Sequence, residues 1–269
     1  MITAEELTAL LRSDKLEEAI SVMNGEVKSK PAAVDKRAML AELLCISGNL
    51  ERADTMLDAI SDLDPGAAVG VALIRQLVRA EQARQQFYAE GRVPEFTTKP
   101  DALIELELRA AVAWRTGAKE EAAALVRERE NLRRPIAGTA DGVAFDDFRD
   151  LDDLSAAHIE VLTSTGKYFW IPTSTLSSIE FRKPERRRDI IWRRAHVSVN
   201  DGPDGEVFLP AIYVSPDSTP AHRLGHATDY DGEHGGCVLG RGLRSFLIGD
   251  QSKSILEMER LEFTATQTH

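Results

Sequence analysis

Apolar positions in the first half of the chain recur at intervals of three and four residues, the spacing of amphipathic helices. The pattern itself also repeats. Leu16-Glu17-Glu18-Ala19 and Leu50-Glu51-Arg52-Ala53 are equivalent, and each is followed by a proline, Pro31 or Pro65. The offsets 16 to 50, 19 to 53 and 31 to 65 are each 34 residues, the period of tetratricopeptide repeats. The sequence therefore predicts helix pairs that stack on one another.

Local chemistry agrees with this prediction. Ala19 and Ala53 are small enough to let paired helices approach closely, and turn residues at 13–14 and 48–49 precede them. Proline ends each unit because it cannot continue a helix. Thr3 with Glu6 three residues later predicts a capping box for the first helix.

The later repeats are less regular. A third unit begins near Ala67, but its second helix departs from the pattern, and 91–94 predicts a break. A fourth signal at 117–122 places Gly117 69 residues after Gly48, one more than two periods. Two good repeats are too few to be stable alone, so we expect the second half of the chain to cover the stack.

Beyond residue 140, short apolar segments separated by turns replace the helical spacing, which is typical of strands. These segments are 158–163, 167–172, 175–181, 195–199, 206–214, 244–248 and 255–263, with one short helix in 184–192. Tyr168 and Trp170 alternate with Phe169 and Ile171, which predicts a strand covered on both faces. We expect an α+β protein with a tetratricopeptide-like α-α superhelix at 1–135 and a small β-rich, barrel-like domain at 141–269.

Charge and hydropathy restrict the function. A net charge of -11 argues against nucleic acid or an anionic membrane as the main partner. The N-terminal sequence lacks the cationic and apolar regions of a signal peptide, and no apolar run is long enough to span a bilayer. Cys45 and Cys237 are too few for a disulfide framework. We expect a cytoplasmic protein.

Three clusters carry possible chemistry. An acidic run could bind a cation, but it lacks the glycine and distal carboxylate of a calcium loop, so we predict a solvated linker that caps a helix. A histidine-containing loop resembles a metal site, but its glycines oppose the helix that His-x-x-x-His requires, so we predict no metal. A basic run is predicted to be a solvated helix face or a docking patch for an acidic protein. The clusters are Asp146, Asp147, Asp150, Asp152 and Asp153; His222, His226, Asp229, Glu233, His234 and Cys237; and Arg182, Lys183, Arg186, Arg187, Arg188, Arg193 and Arg194.

No nucleophile elbow, phosphate-binding glycine loop or dinucleotide fingerprint is present in the sequence. We therefore predict no catalytic residues, no cofactor and a non-enzymatic protein. The inner positions of the first two repeats, Ala4, Thr8, Ala38 and Glu42, carry no basic clamp for a carboxylate. They favour an amphipathic partner helix lying in a groove.

The second half resembles the ImpE/TagJ (SciE-type) family encoded in type VI secretion loci, and the helical half is similar to the family as well. The matching residues are Asp141-Gly142, Phe145, Asp150, Asp152, Glu160-Val161, Gly166, Tyr168, Trp170-Ile171-Pro172, Leu176, Ile179, Pro184, Arg188-Asp189-Ile190, Trp192, Pro210, Tyr213, Arg223-Leu224-Gly225, Thr228-Asp229 and Gly249-Asp250. Departures occur at Asp147, Ser155-Ala156-Ala157, Arg194, His226 and Tyr230.

This resemblance implies an accessory protein that binds the N-terminal helix of the small sheath subunit, TssB, and is linked to the AAA+ ATPase that recycles the sheath. It also implies structural or interdomain roles for Asp150, Asp152, Tyr168, Trp170, Arg188, Asp189, Trp192 and Arg223. Two alternatives remain: a repeat scaffold for another cytosolic protein complex, and a metal-binding enzyme that uses the 222–237 histidine loop.

Overall fold

The computed structural model describes residues 2–232 and 236–264, and its first half is helical. The helices there are Ala4–Arg12 (α1), Leu16–Ser29 (α2), Val34–Ile46 (α3), Leu50–Leu63 (α4), Ala68–Glu90 (α5), Ala102–Arg115 (α6) and Lys119–Leu132 (α7). The predicted capping box of α1 is confirmed, because the Thr3 hydroxyl accepts from the Glu6 N–H at 3.1 Å and the Glu6 carboxylate accepts from the Thr3 N–H at 2.8 Å.

Three tight turns pair α1 with α2, α3 with α4 and α6 with α7. Each turn has one residue in the left-handed region: Asp14 with φ 57°, Gly48 with φ 79° and Gly117 with φ 83°. Asp14 and Gly48 are one 34-residue period apart. The small residues Ala19 and Ala53 are fully buried where the helices pack. The predicted repeat is confirmed.

Helix α5 replaces the third pair. It runs unbroken for 23 residues and ends at Gly91, which has φ 83°. The predicted break lies in the extended segment that follows. There Glu95 pairs with the strand containing Phe169: its N–H donates to the Tyr168 carbonyl at 2.9 Å, and its carbonyl accepts from the Trp170 N–H at 3.1 Å. The chain between α5 and α6 thus joins the helical half to a sheet edge.

Short strands form most of the second half. They are Gly138–Ala140 (β1), Val143–Phe145 (β2), Phe148–Asp150 (β3), His158–Leu162 (β4), Tyr168–Pro172 (β5), Leu176–Phe181 (β6), Trp192–Val199 (β7), Asp204–Pro210 (β8), Thr228–Asp231 (β9), Leu239–Gly242 (β10), Ser245–Ile248 (β11), Gln251–Ser254 (β12) and Arg260–Phe263 (β13). All seven predicted strand segments contain a strand, although 255–259 forms a turn instead. The predicted short helix is a 3-10 helix, Arg187–Ile190, and one α-helical turn, Pro220–Arg223 (α8), follows later.

Eight of these strands form one antiparallel sheet in the order β2-β1-β13-β6-β7-β8-β4-β5. A three-stranded sheet, β12-β11-β3, and the ribbon β10-β9 complete the described strands. The α+β prediction is confirmed, but the large sheet of the barrel-like domain is not a closed barrel. Strands β2 and β5 are the two edges of the large sheet and do not pair with each other within the described residues. The Glu95 segment extends the β5 edge instead.

The sheet is covered on both faces near β4 and β5. Tyr168 and Trp170 pack into the apolar core that continues through the helices, whereas Ile171 and the partly buried Phe169 pack into the core within the strand-rich half. The prediction for this strand is confirmed. In the part of the chain that the structure describes, no helix has the length and apolarity needed to cross a bilayer.

Candidate functional site

A cleft of about 820 Å³ lies where the two halves of the protein face each other. The helical half contributes the end of α3 at 45–48, the segment 81–89 of α5 and the α6–α7 turn at 114–119. The loop at 212–218 and residues 239–241 of β10 form most of the opposite wall. Clefts between packed domains are common places for ligands and partners to bind.

Beneath the cleft, buried ion pairs join the halves. Glu160 on β4 accepts from Arg84 Nε at 3.0 Å and from Arg84 Nη2 at 2.9 Å, and Arg84 lies on α5. Arg244 donates to the same carboxylate and, through Nη1, to Asp150 Oδ2 at 2.9 Å. All four side chains are at most 3% exposed. Desolvated charges of this kind are tolerated only when each one has its partner.

The surrounding charges set the pKa of two carboxyl groups in this region. Burial alone would raise the pKa of Glu160, but Arg84 and Arg244 outweigh it and hold that pKa well below its usual value. Asp152, which lines the cleft, behaves differently. Burial and then the neighbouring Asp150 raise the pKa of Asp152 to about 7, although its oxygens accept backbone N–H groups of Gly240 and Leu154.

Aromatic side chains complete the interface around Glu160. The Tyr88 hydroxyl donates to Glu160 at 3.2 Å, and the Tyr168 hydroxyl donates to the same carboxylate. Trp170 Nε1 donates to the Tyr168 hydroxyl at 2.6 Å. Every polar atom of these rings that enters the interface thereby finds a partner, as buried aromatic groups require.

A second buried cluster ties α6 and α7 to the sheet. Glu107 accepts from Arg129 Nη1 at 2.8 Å and from the Ala157 N–H at 2.7 Å, and it lies 2.5 Å from His158 Nδ1. The His158 ring stacks on Trp170 with a centroid distance of 3.6 Å. Glu107 therefore ties the last helix pair to the sheet, and the ring stacking fixes the imidazole of His158 against Trp170 within the sheet.

The four predicted partner-binding positions lie on α1 and α3, where the 3-10 helix of the strand-rich half crosses them. Arg188 Nη1 donates to Glu42 at 2.9 Å, and Arg187 Nη2 donates to the Thr8 hydroxyl at 3.2 Å. Ala38 is partly buried against the helical core, whereas Ala4 is exposed. Beyond Glu42, α3 continues into the cleft. Partner binding at these positions stays a prediction.

Two further signature residues lie in the 3-10 region and in α8. Asp189 accepts the N–H groups of Glu185 and Arg186 at 2.8 and 2.9 Å and so caps the 3-10 helix. Arg223 donates to the Ser47 carbonyl in the turn after α3. The latter contact again crosses between the two halves.

Trp192 at the start of β7 makes the corresponding contact with α5. Its Nε1 donates to Glu81 at 3.2 Å, and Glu81 is also paired with Arg84 at 3.0 Å. The indole is almost fully buried in the helical core. The signature residues thus lie within or beside the interface between the halves.

The prediction that the acidic run is a solvated linker is wrong for most of its members. Asp146 is exposed, but Asp150 and Asp153 are buried, and Asp147 pairs with Arg133 Nη1 at 2.7 Å. Strand β3 carries Asp150 into the interface, where Arg244 compensates its charge. The sequence pattern missed this because Arg244 is 94 residues away.

The histidine loop does not assemble a ligand set in the residues that are described. His222 Nε2 pairs with Asp229 at 2.9 Å, and His226 Nδ1 lies 2.7 Å from Asp14 in the α1–α2 turn. Cys237 is buried in the core beside α7. Across 2–232 and 236–264, no group of three metal-ligating side chains converges, while Glu233 and His234 lie outside the described residues.

The basic run is divided among several surroundings. Arg182 and Arg194 both pair with Glu206 on the exposed sheet face. Arg193 is buried with its guanidinium 5.9 Å from the Phe181 ring centre. Arg187 and Arg188 contact the helical half as described above. The predicted solvated helix face is therefore wrong, because only Arg187 and Arg188 lie in the 3-10 helix, whereas Arg193 and Arg194 point to opposite faces of β7. The docking patch for an acidic protein stays a prediction.

Several interface residues were not singled out from the sequence: Glu81, Arg84, Tyr88, Glu107, Arg129, His158 and Arg244. One local signal was available. Glu81 and Arg84 are spaced as neighbours on a helix face that otherwise contains Leu77, Val78 and Phe87. Charged residues on an apolar face indicate a buried pair or a contact with another part of the chain.

Comparisons with known proteins agree with this architecture. Residues 142–262 match the family model described as ImpE protein. The type VI secretion system accessory component TagJ of Pseudomonas aeruginosa is 27% identical over 259 residues, which cover 96% of this chain and 90% of TagJ. The X-ray crystal structure of protein VPA1032 from Vibrio parahaemolyticus has a TM-score of 0.90 and 27% identity, over 97% of this chain and 98% of that one. The resemblance read from the sequence is confirmed.

Proposed function

Since this chain carries an ImpE-family domain and resembles TagJ along nearly its whole length, we propose that it is a non-enzymatic accessory protein of type VI secretion. The similarity to TagJ over 96% of the chain is the observation that carries the proposal. The buried carboxylates of the interface support the non-enzymatic part of the proposal, because Glu160 and Asp150 are paired with arginines and so serve to hold the halves together. The proposal includes a cytoplasmic location.

The partner in this proposal is a polypeptide, specifically the N-terminal helix of the small sheath subunit, TssB. Stacked helix pairs expose concave surfaces that suit such a ligand. We place its contacts at Ala4, Thr8, Ala38 and Glu42, where the partner would compete with Arg187 and Arg188 for Thr8 and Glu42. From these positions α3 leads into the cleft. The AAA+ ATPase that recycles the sheath is proposed as a further partner of the same complex.

Size-exclusion chromatography of the protein mixed with its cognate TssB tests this function. We expect one co-eluting complex, and we expect it to disappear when TssB lacks its N-terminal helix. Ala38→Trp should weaken the complex because it places bulk on the inner face of α3. Ala124→Trp, at an exposed position of α7, is the matched control and should bind normally. No complex with full-length TssB would refute the proposed partner, while adding the ATPase to the mixture tests the second one.

A further inference from the structure

The cleft between the halves contains basic side chains that have no counter-charge among the described residues. Four of its lining residues have no carboxylate partner within the described residues: Arg115, Lys119, Arg223 and Arg241. All four are half-buried. A half-buried cation has lost part of its hydration, and without a nearby anion that loss is not compensated.

The contacts that these side chains do make are weak or neutral. Arg115 Nη1 donates to the Phe87 carbonyl at 3.2 Å, and Lys119 Nζ lies 5.0 Å from the centre of the Trp114 ring. Arg223 donates to backbone carbonyls only. The Nε of Arg241 is buried and has no hydrogen-bond partner among the described atoms. Their charges thus remain available for a ligand.

The acidic residues of the cleft do not cancel this charge. Glu81 is committed to Arg84 and Trp192, and Asp152 to two backbone N–H groups. Asp217 and Asp231 add two negative charges to the lining. The lining thus contains five basic residues, Arg84 included, and four acidic ones, in a protein whose whole sequence has 33 basic and 44 acidic residues. The cleft reverses the charge balance of the chain.

Apolar side chains also line the cleft. Ile46, Leu154, Ile191, Ile212 and Leu239 line the same space. A ligand complementary to both the basic and the apolar residues of the cleft combines carboxylates with at least one apolar group. An acidic stretch of polypeptide has that composition, whereas a nucleic acid would place a continuous polyanion against a protein of net charge -11.

We propose that this cleft binds an acidic segment of a partner polypeptide. The carboxylates of that segment pair with Arg115, Lys119, Arg223 and Arg241, and one of its apolar side chains packs on Ile46 and the other apolar residues of the lining. This inference rests on the proposed function for the existence of a polypeptide partner. It adds the chemistry of the bound segment and the side of the molecule on which it lies. The cations come from the α6–α7 turn, α8 and β10, so the inner positions of the repeats contain none of them.

The test uses the full chain with the double variant Lys119→Glu/Arg241→Gln. Lys119 is the first residue of α7, where glutamate suits the helix dipole, and Arg241→Gln retains a hydrogen-bonding side chain. Arg109→Glu is the control, because Arg109 is exposed on α6 and does not line the cleft. Thermal unfolding confirms that each variant is folded. If the double variant does not fold, Lys119→Glu alone replaces it.

Fluorescence anisotropy then follows two labelled peptides with one apolar pattern, the first carrying glutamates and the second glutamines. We expect the glutamate peptide to bind the parent protein and Arg109→Glu equally, with an affinity that falls as salt is added. The glutamine peptide and the double variant should each lose about tenfold in affinity. No binding of the glutamate peptide at low ionic strength, or equal binding by the double variant, overturns the inference. Tighter binding of a single-stranded oligonucleotide than of the glutamate peptide overturns it as well.

A parallel measurement separates this inference from the proposed function. If the double variant binds TssB with the same affinity as the parent protein, the cleft assignment fails while the accessory function stands. If TssB does not bind the parent protein but the glutamate peptide does, the partner assignment fails and the cleft assignment stands.

Discussion

Glu160→Gln tests how the two halves of this protein are held together. The carboxylate of Glu160 lies between Arg84 on α5 and Arg244 next to β11, and it also accepts from the hydroxyls of Tyr88 and Tyr168. Glutamine has nearly the same shape but no charge. Its NH₂ group would face a guanidinium donor, so the substitution leaves two buried arginines sharing only Asp150 and Glu81 as anions.

The structure allows the size of the effect to be worked out. Two of the lost interactions are the charge-assisted hydrogen bonds from Arg84 Nη2 and Arg244 to Glu160 Oε2. Each such bond contributes about 1.5 to 3 kcal/mol. Removing one partner from a buried ion pair costs about 3 to 5 kcal/mol in total, because the remaining charge is left uncompensated. We expect the free energy of unfolding to fall by about 4 kcal/mol.

Urea unfolding followed by two probes measures this loss. Far-UV circular dichroism reports the helices, and tryptophan fluorescence reports the interface, where Trp170 and Trp192 are buried. Glu95→Gln is the control: Glu95 pairs with Lys167 at 2.8 Å, but both side chains are about half exposed, at 47% and 52%. A pair of that kind contributes at most about 1 kcal/mol. If Glu160→Gln shifts the transition no further than Glu95→Gln does, the buried network does not hold the halves together.

The pKa of Asp152 is about 7 in the folded state and 3.8 ordinarily, so the stability that this group contributes falls as pH rises from the lower value to the higher. Asp152→Asn should remove that slope from unfolding free energies measured from pH 4 to 8, and an unchanged slope would contradict the raised pKa. Ala53→Leu should cost about 1 to 3 kcal/mol by overpacking, whereas Ala124→Leu on exposed α7 should leave the thermal midpoint nearly unchanged; equal midpoints would refute close helix packing. Arg188→Ala breaks the partly buried pair with Glu42 and should cost about 1 kcal/mol while speeding hydrogen exchange in the 3-10 helix, so unaltered exchange would show that the pair does not hold that helix on α3.

The sequence by itself determined the elements whose causes are local. The 34-residue repeat was readable because each unit needs the same small residue and the same left-handed turn, as Ala19 and Ala53, and Asp14 and Gly48, show in the structure. The alternation around Trp170 also has a local cause, and it predicted a strand covered on both faces. Side-chain direction along a strand depends on the backbone alone.

Only the tertiary structure decided which charges meet. Arg84 and Glu160 are 76 residues apart, and Arg244 and Asp150 are 94 apart, so no local pattern could pair them. The same holds for the acidic run, which has a solvated composition yet contributes buried partners. Strands as short as β1 and β3 also depend on distant neighbours, because three residues cannot bury enough surface to form alone. Local periodicity sets helices and strands, whereas burial and ion pairing are properties of segments that only the completed fold brings into contact.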